Sequence, residues 1–198
     1  MEVVSKKNNS QTSADYFRSI LFATSYPGSI EILDSINSPS KMFSASCSII
    51  KTFCDSYSNI FLGRDINNPE TIDWIKFNTG ANITDKKNAN FAIGIWDDLL
   101  PLDEFKKGDD QNPDQSCTII CQSKFEKPNA IITGPGIKSS KSIFLPDREI
   151  IKKNNQQFPL GLDFYFVDND KFYSIPRSLK IGELYNVCIC KRWRKGNQ

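Results

Sequence analysis

The chain alternates between two apolar rhythms, cut apart by proline and glycine. Tyr16, Phe17, Ile20, Leu21 and Thr24 recur at helical spacing, with Ser13 placed to cap their first turn. Pro27 disfavours helical geometry just before it and Gly28 loosens the turn, so this helix should stop near Tyr26. A loop marked by Pro39 follows. Met42, Ala45, Cys47, Ile49, Ile50 and Phe53 then fit a second, largely buried helix. Residues 59–62 read as a short strand ended by Gly63. Pro69 suits the first position of a third helix, Glu70 suits its positive end, and Gly80 suits its termination. Ile72, Trp74, Ile75 and Phe77 supply that helix's apolar side.

Past this point the rhythm becomes strand-like. Residues 91–96 read as a strand, 99–105 as a short helix or turn closed by Gly108, and GDDQNPDQ as an exposed loop. Short β-type runs follow at 116–121, 129–133 and 142–145. Residues 146–155 read as a helix with Pro146 near its start, broken at Phe158-Pro159. An apolar strand at 162–167 turns through Asp168-Asn169-Asp170 into residues 172–175, and 184–190 reads as a last strand. The pattern predicts an α/β protein of a single domain, with a mixed β-sheet flanked by helices. The domain should span 13–192, between tails at 1–12 and 193–198.

Composition narrows the chemistry. The 198 residues are 39% hydrophobic and 24% charged, ordinary for a globular protein. Lys and Arg number 25 against 23 Asp and Glu, too even a balance to argue for nucleic acid or an anionic membrane. No run approaches the ~18 to 20 apolar residues of a membrane span. The start, MEVVSKKNNSQTSAD, is too polar for a signal peptide, so a cytoplasmic location is expected. The six cysteines show no C-x-x-C spacing and are expected as free thiols. There is no histidine, which removes imidazole-based triads and His-based zinc catalysis. No cofactor and no metal are expected.

Each candidate motif has a plain structural reading beside the functional one. In AIITGPGIKSS, Gly134-Pro135-Gly136 fits a β-turn, with proline second and glycine third. A phosphate cradle would need a helix after the glycines, and an apolar strand follows instead, so a corner is favoured, one that can still shape a partner-facing surface. In SIPRS, Arg177 could hold a phosphate or carboxylate bidentately, or be salt-bridged at a strand end. Asp163 lies in the apolar stretch FPLGLDFYFVD and could pair with Arg177, cap backbone, or act in catalysis, though no second carboxylate marks itself as its partner. Asp97-Asp98 and Asp109-Asp110 could hold Mg²⁺ with phosphates, but solvated surface carboxylates are favoured. Cys188 and Cys190 share a strand face, and two thiols alone do not make a zinc site. No nucleophile, base and orienting group gather in one motif.

The segments YFRSILFATSYPGSI, IKFNTGA, NANFAIG, KKGDDQNPDQSCTII, ITGPGI, FPLGLDFYFVD and SIPRS occur in that order over most of the chain. Each is weak alone. Together the series resembles the PhnH family, a subunit of the bacterial carbon–phosphorus lyase core complex. The resemblance implies a fold similar to the large domain of pyridoxal-phosphate-dependent transferases, without the cofactor site. It implies a subunit required, with PhnG, PhnI and PhnL, for transfer of ribose triphosphate from ATP to an alkylphosphonate. Partners are then PhnG, PhnI and PhnJ, with a homodimer when isolated, and no nucleic acid or membrane. Gly134, Pro135, Gly136, Asp163 and Arg177 become binding or interface candidates, and no residue is assigned a catalytic role. Asn78 stands where the family usually carries a histidine, which puts any proton-transfer or metal role there in doubt. The alternative is a stand-alone enzyme or binding protein for a phosphorylated ligand.

Overall fold

The structure, a computed structural model, describes residues 9–33 and 36–184. Seven strands form the main sheet, in the order β1-β9-β8-β5-β4-β2-β3. They are β1 (Glu31–Ile32), β2 (Asn59–Leu62), β3 (Asn82–Ile83), β4 (Phe91–Gly94), β5 (Thr118–Gln122), β8 (Asp163–Asp168) and β9 (Lys171–Ile175). The pairs β3–β2, β2–β4, β4–β5 and β5–β8 are parallel, while β9 runs antiparallel to β8 and β1 antiparallel to β9. A separate antiparallel sheet has the order β10-β6-β7, from β6 (Ala130–Thr133), β7 (Lys141–Ile143) and β10 (Lys180–Glu183). The helices are α1 (Asn9–Ser25), α2 (Ser44–Phe53), α3 (Pro69–Thr79), α4 (Trp96–Leu99) and α5 (Arg148–Asn155).

Both faces of the main sheet are buried, and residue alternation assigns them. Ile60, Leu62, Ile93, Ile120, Tyr165, Val167 and Phe172 point into one core with Ile20 of α1, Ile49 and Ile50 of α2 and Ile75 of α3. Ala92, Ile119, Cys121, Phe164, Phe166, Tyr173 and Ile175 point into the other, with Ile132, Ile143 and Ile181 of the small sheet and Ile151 of α5. This two-sided burial is why the parallel strands read as continuous apolar runs rather than as alternation. The result is three layers: helices, main sheet, and small sheet with α5.

Local chemistry places several elements as expected. Asn68 caps α3 by accepting from the Thr71 N–H at 3.0 Å, Pro69 opens it, and Gly80 closes it at φ 74°. The mixed sheet and the helices around it follow the expected class. Other expectations change. The first helix starts at Asn9, so Ser13 lies inside it and caps nothing. Strand β4 ends at Gly94, because Trp96 already belongs to the short helix α4. The fifth helix starts at Arg148, where Asp147 accepts from the Ile150 N–H, rather than at Pro146. The expected single sheet is two, since β6 and β7 pair with β10 and cover the main sheet's second face. Of the last strand expected over 184–190, Leu184 is not in a strand and the remainder lies outside the described residues.

Cys47, Cys54, Cys117 and Cys121 are free and buried. Burial pushes the thiols of Cys47, Cys54 and Cys121 up to about 12, and raises Cys117 as well. A thiolate is the reactive form, so these four should react with an aromatic disulfide reagent at pH 8 on the order of a thousandfold more slowly in the native than in the denatured chain. Stopped-flow labelling of a variant with Cys188→Ser and Cys190→Ser checks this, and fast native labelling of any of the four contradicts the packing described.

Candidate functional site

Asp163, Arg177 and the Gly134-Pro135-Gly136 corner, singled out by sequence, lie at one end of the sheet, the amino edge of the parallel strands. Asp163 is the first residue of β8 and pairs in register with Thr118, the first of β5. Arg177 follows β9 and reaches back to it. Its backbone N–H donates to Asp163 Oδ1 at 2.8 Å, and Nε lies 3.2 and 3.1 Å from the two carboxylate oxygens. Nη1 donates to the Pro113 carbonyl at 2.8 Å, while Nη2 donates to Ser116 Oγ and Asp163 Oδ2. All three guanidinium nitrogens therefore donate within the protein, and the side chain is only 13% exposed. The group acts as a strut between β8 and the loop before β5.

The Gly134-Pro135-Gly136 corner lies nearby and joins β6 to β7 as a hairpin. Ile137 N–H donates to the Gly134 carbonyl at 3.1 Å. Gly136 has φ 77°, and a Cβ there would stand 2.0 Å from the Ser25 carbonyl oxygen at the end of α1. Gly134 packs on Leu179, just past Arg177, and Gly28 packs on Ile132 and Ile143. Lys141 Nζ donates to Ser29 Oγ at 2.8 Å, and burial lowers its pKa. The motifs YPG, GPGI and IPRS, distant in sequence, thus meet as one packing corner. An apolar surface extends from it: Phe17, Leu21 and Phe22 on α1, with Tyr26 just past its end and Ile30 and Ile32 beyond, are each about half exposed.

The opposite end has a different character. At the carboxyl edge, a crevice of about 330 Å³ is lined by Lys41, Phe43, Asp65, Ile66, Gly94, Ile95, Asp98 and Gln122. Gly63 and Gly94 end β2 and β4 so close together that a Cβ on Gly63 would stand 3.0 Å from the Gly94 Cα and 2.9 Å from Asp98 Oδ2. That close approach seats Asp98, on α4, against both strand tips. Its side chain is 4% exposed, Oδ1 accepts from Arg64 Nε at 2.9 Å, and Oδ2 has no partner. Gln122 ends β5 and holds the segment before α2 from both sides: its carbonyl accepts from the Phe43 N–H at 2.8 Å and its amide donates to the Lys41 carbonyl at 3.0 Å. Lys41 is kept at φ 68°.

Asp98 is thus a correction: expected as a solvated carboxylate, it is buried because α4 turns it under the strand tips, while Asp97 stays exposed. Asp109 and Asp110 are exposed, and Asp109 accepts from the Gln111 and Asn112 N–H groups, which holds its carboxyl below the usual range. Lys41, Arg64 and Gln122 were not signalled by sequence. Gly63 and Gly94, each closing an apolar run, were the signal available, and glycine at a strand end is too common to single out a site. Asn78 Nδ2 donates to the Trp74 carbonyl one turn earlier at 2.8 Å, a bond internal to α3. Among the described residues no cluster of three or more Cys, Asp or Glu side chains could hold a metal ion, and no helix is long and apolar enough to cross a membrane.

A family model described as bacterial phosphonate metabolism protein (PhnH) matches residues 5–182. The chain is also similar to the alpha-D-ribose 1-methylphosphonate 5-triphosphate synthase subunit PhnH of Rhizobium meliloti (strain 1021). The two are 30% identical over 175 residues, which cover 83% of this chain and 88% of that relative.

Proposed function

The chain belongs to the PhnH family of bacterial phosphonate metabolism proteins, and on that footing we propose that it is a subunit of the assembly that transfers ribose triphosphate from ATP to an alkylphosphonate. The observation that carries this is the extent of the match, 5–182, together with the subunit name of the Rhizobium meliloti relative. In this reading PhnG, PhnI and PhnJ are its companions, the reactive groups belong to them, and the isolated chain pairs as a homodimer. It works in the cytoplasm. The seven-stranded mixed sheet is a scaffold of the kind found in the large domain of pyridoxal-phosphate-dependent transferases, put to use without that cofactor.

The amino-edge corner supports such a role. Gly134 packs on Leu179 and Gly136 against the Ser25 carbonyl, with Pro135 exposed at the tip. Asp163 and Arg177 tie β8 to the loop before β5 at the same end of the sheet. The half-exposed apolar side chains of α1 suit a protein that spends its working life against others, since patches of this kind mark interaction surfaces.

The test is co-expression of a tagged chain with PhnG, PhnI and PhnJ, followed by affinity capture and size exclusion. Co-elution of the companions is the expected result, with phosphonate activation lost when this chain is omitted. Elution of the tagged chain alone would count decisively against the proposal, as would turnover of ATP and methylphosphonate by the chain unaided.

A further inference from the structure

We infer that the crevice at the carboxyl edge of the main sheet is a binding site for a small phosphorylated sugar, its phosphate held by Lys41 and Arg64 and a hydroxyl held by Asp98. The location comes first. In open sheets of parallel strands, ligands bind outside the carboxyl ends, where the loops diverge. Here the ends of β2, β4 and β5 meet, and the crevice lies between them and the start of α2.

The second observation is Asp98. A carboxylate with one orphaned, buried oxygen is costly to keep in a fold, and such groups call for an explanation. Packing does not need it, since an apolar residue would fill the same space without the desolvation cost. The partner on its other oxygen, Arg64, has a side chain 86% exposed, so the guanidinium can swing away without disturbing the core. That motion opens the carboxylate to a donor from a ligand and carries a cation to the ligand's other end.

The charge pattern selects the ligand class. Two cations, Lys41 and Arg64, and two carboxylates, Asp65 and Asp98, lie at or beside the crevice. A bare anion would face both carboxylates and a bare cation both basic groups. A phosphorylated sugar offers phosphate oxygens to the basic pair and hydroxyl donors to a carboxylate. Phe43, Ile66 and Ile95 form apolar walls that suit the carbon face of a furanose. At about 330 Å³ the space matches a small ligand and excludes a dinucleotide. Lys41 is also held in the left-handed region by Gln122, a conformation that costs free energy in a non-glycine residue and recurs at ligand clamps.

The site stands on the crevice, and the choice of a ribose phosphate as its ligand rests on the assembly proposed above. Failure to bind would leave co-purification untouched, and failure to co-purify would leave the titration to decide. The experiment is calorimetric titration of the purified full chain with ribose 5-phosphate and, separately, inorganic phosphate. Ribose 5-phosphate should bind saturably at one site, at least about tenfold tighter than inorganic phosphate. Arg64→Ala and Lys41→Ala change exposed side chains. Each should weaken ribose 5-phosphate by about tenfold or more; Lys41→Ala should leave the thermal midpoint in place, while Arg64→Ala, which strips the buried Asp98 of its partner, should lower it. Asp98→Asn should erase the preference for the sugar phosphate over phosphate. Absence of saturable binding at millimolar ribose 5-phosphate, equal affinity for the two probes, or unchanged affinity in both exposed-residue variants would each overturn the inference. Should Asp98→Asn fail to fold, the probe comparison and the other two variants still decide it.

Discussion

Arg177→Ala is expected to lower stability by about 3 kcal/mol, read as a shift in the urea midpoint without loss of cooperativity. The arginine is 13% exposed and donates to a carboxylate, a hydroxyl and a backbone carbonyl. Removing it leaves Asp163 as an uncompensated charge in a part-buried position and frees the Pro113 carbonyl. Breaking a fully buried pair costs roughly 3 to 5 kcal/mol, and the 32% exposure of Asp163 places this one at the lower end. Asp163→Ala combined with Arg177→Ala should recover part of the loss, because neither charge then stands alone. If the single variant loses less than about 0.5 kcal/mol, in the range of a surface change, the strut described here is wrong.

A comparable loss is expected from Gly136→Ala. Two costs add. A non-glycine residue at φ 77° costs roughly 1 to 2 kcal/mol in the left-handed region. The new Cβ would also stand 2.0 Å from a backbone oxygen of α1, and backbone cannot rotate aside as a side-chain tip can. The end of α1 or the hairpin must shift, at a further cost of about 1 to 3 kcal/mol. Gly182→Ala is the internal control. Its Cβ would meet only the Ile131 oxygen, at 3.8 Å, so stability should change by no more than about 0.5 kcal/mol. Chemical denaturation of both variants separates conformational demand at position 136 from a general intolerance of substitution in this small sheet.

The sequence carried the helices best where a breaker coincided with periodicity, as at Pro69 and Gly80 around α3. Long apolar strands such as β5 and β8 were equally legible. The two-residue strands β1 and β3 were not, because neither is long enough to express an alternation. Lys180–Glu183 carries one apolar side chain and one glycine, so β10 acquires its identity only by pairing with β6. The division into two sheets also escaped, since strand pairing is a non-local choice. Of the sites, the Asp163–Arg177 pair was legible from a carboxylate in an apolar strand and an arginine at a strand end. Asp98 was hidden. Its neighbour Asp97 looks identical in sequence, and only the turn of α4 sends one under the strand tips and leaves the other in water.

The two outermost strands of the main sheet, β1 and β3, are each two residues long. Among the described residues, edge strands this short offer a foreign β-segment little template on which to add. Growth by strand exchange or cross-β stacking is thereby discouraged in a protein whose interior strands are rich in Ile and Phe. A partner that joins the described rims gains more from side-chain contacts than from backbone pairing, which confers selectivity that backbone pairing alone could not provide.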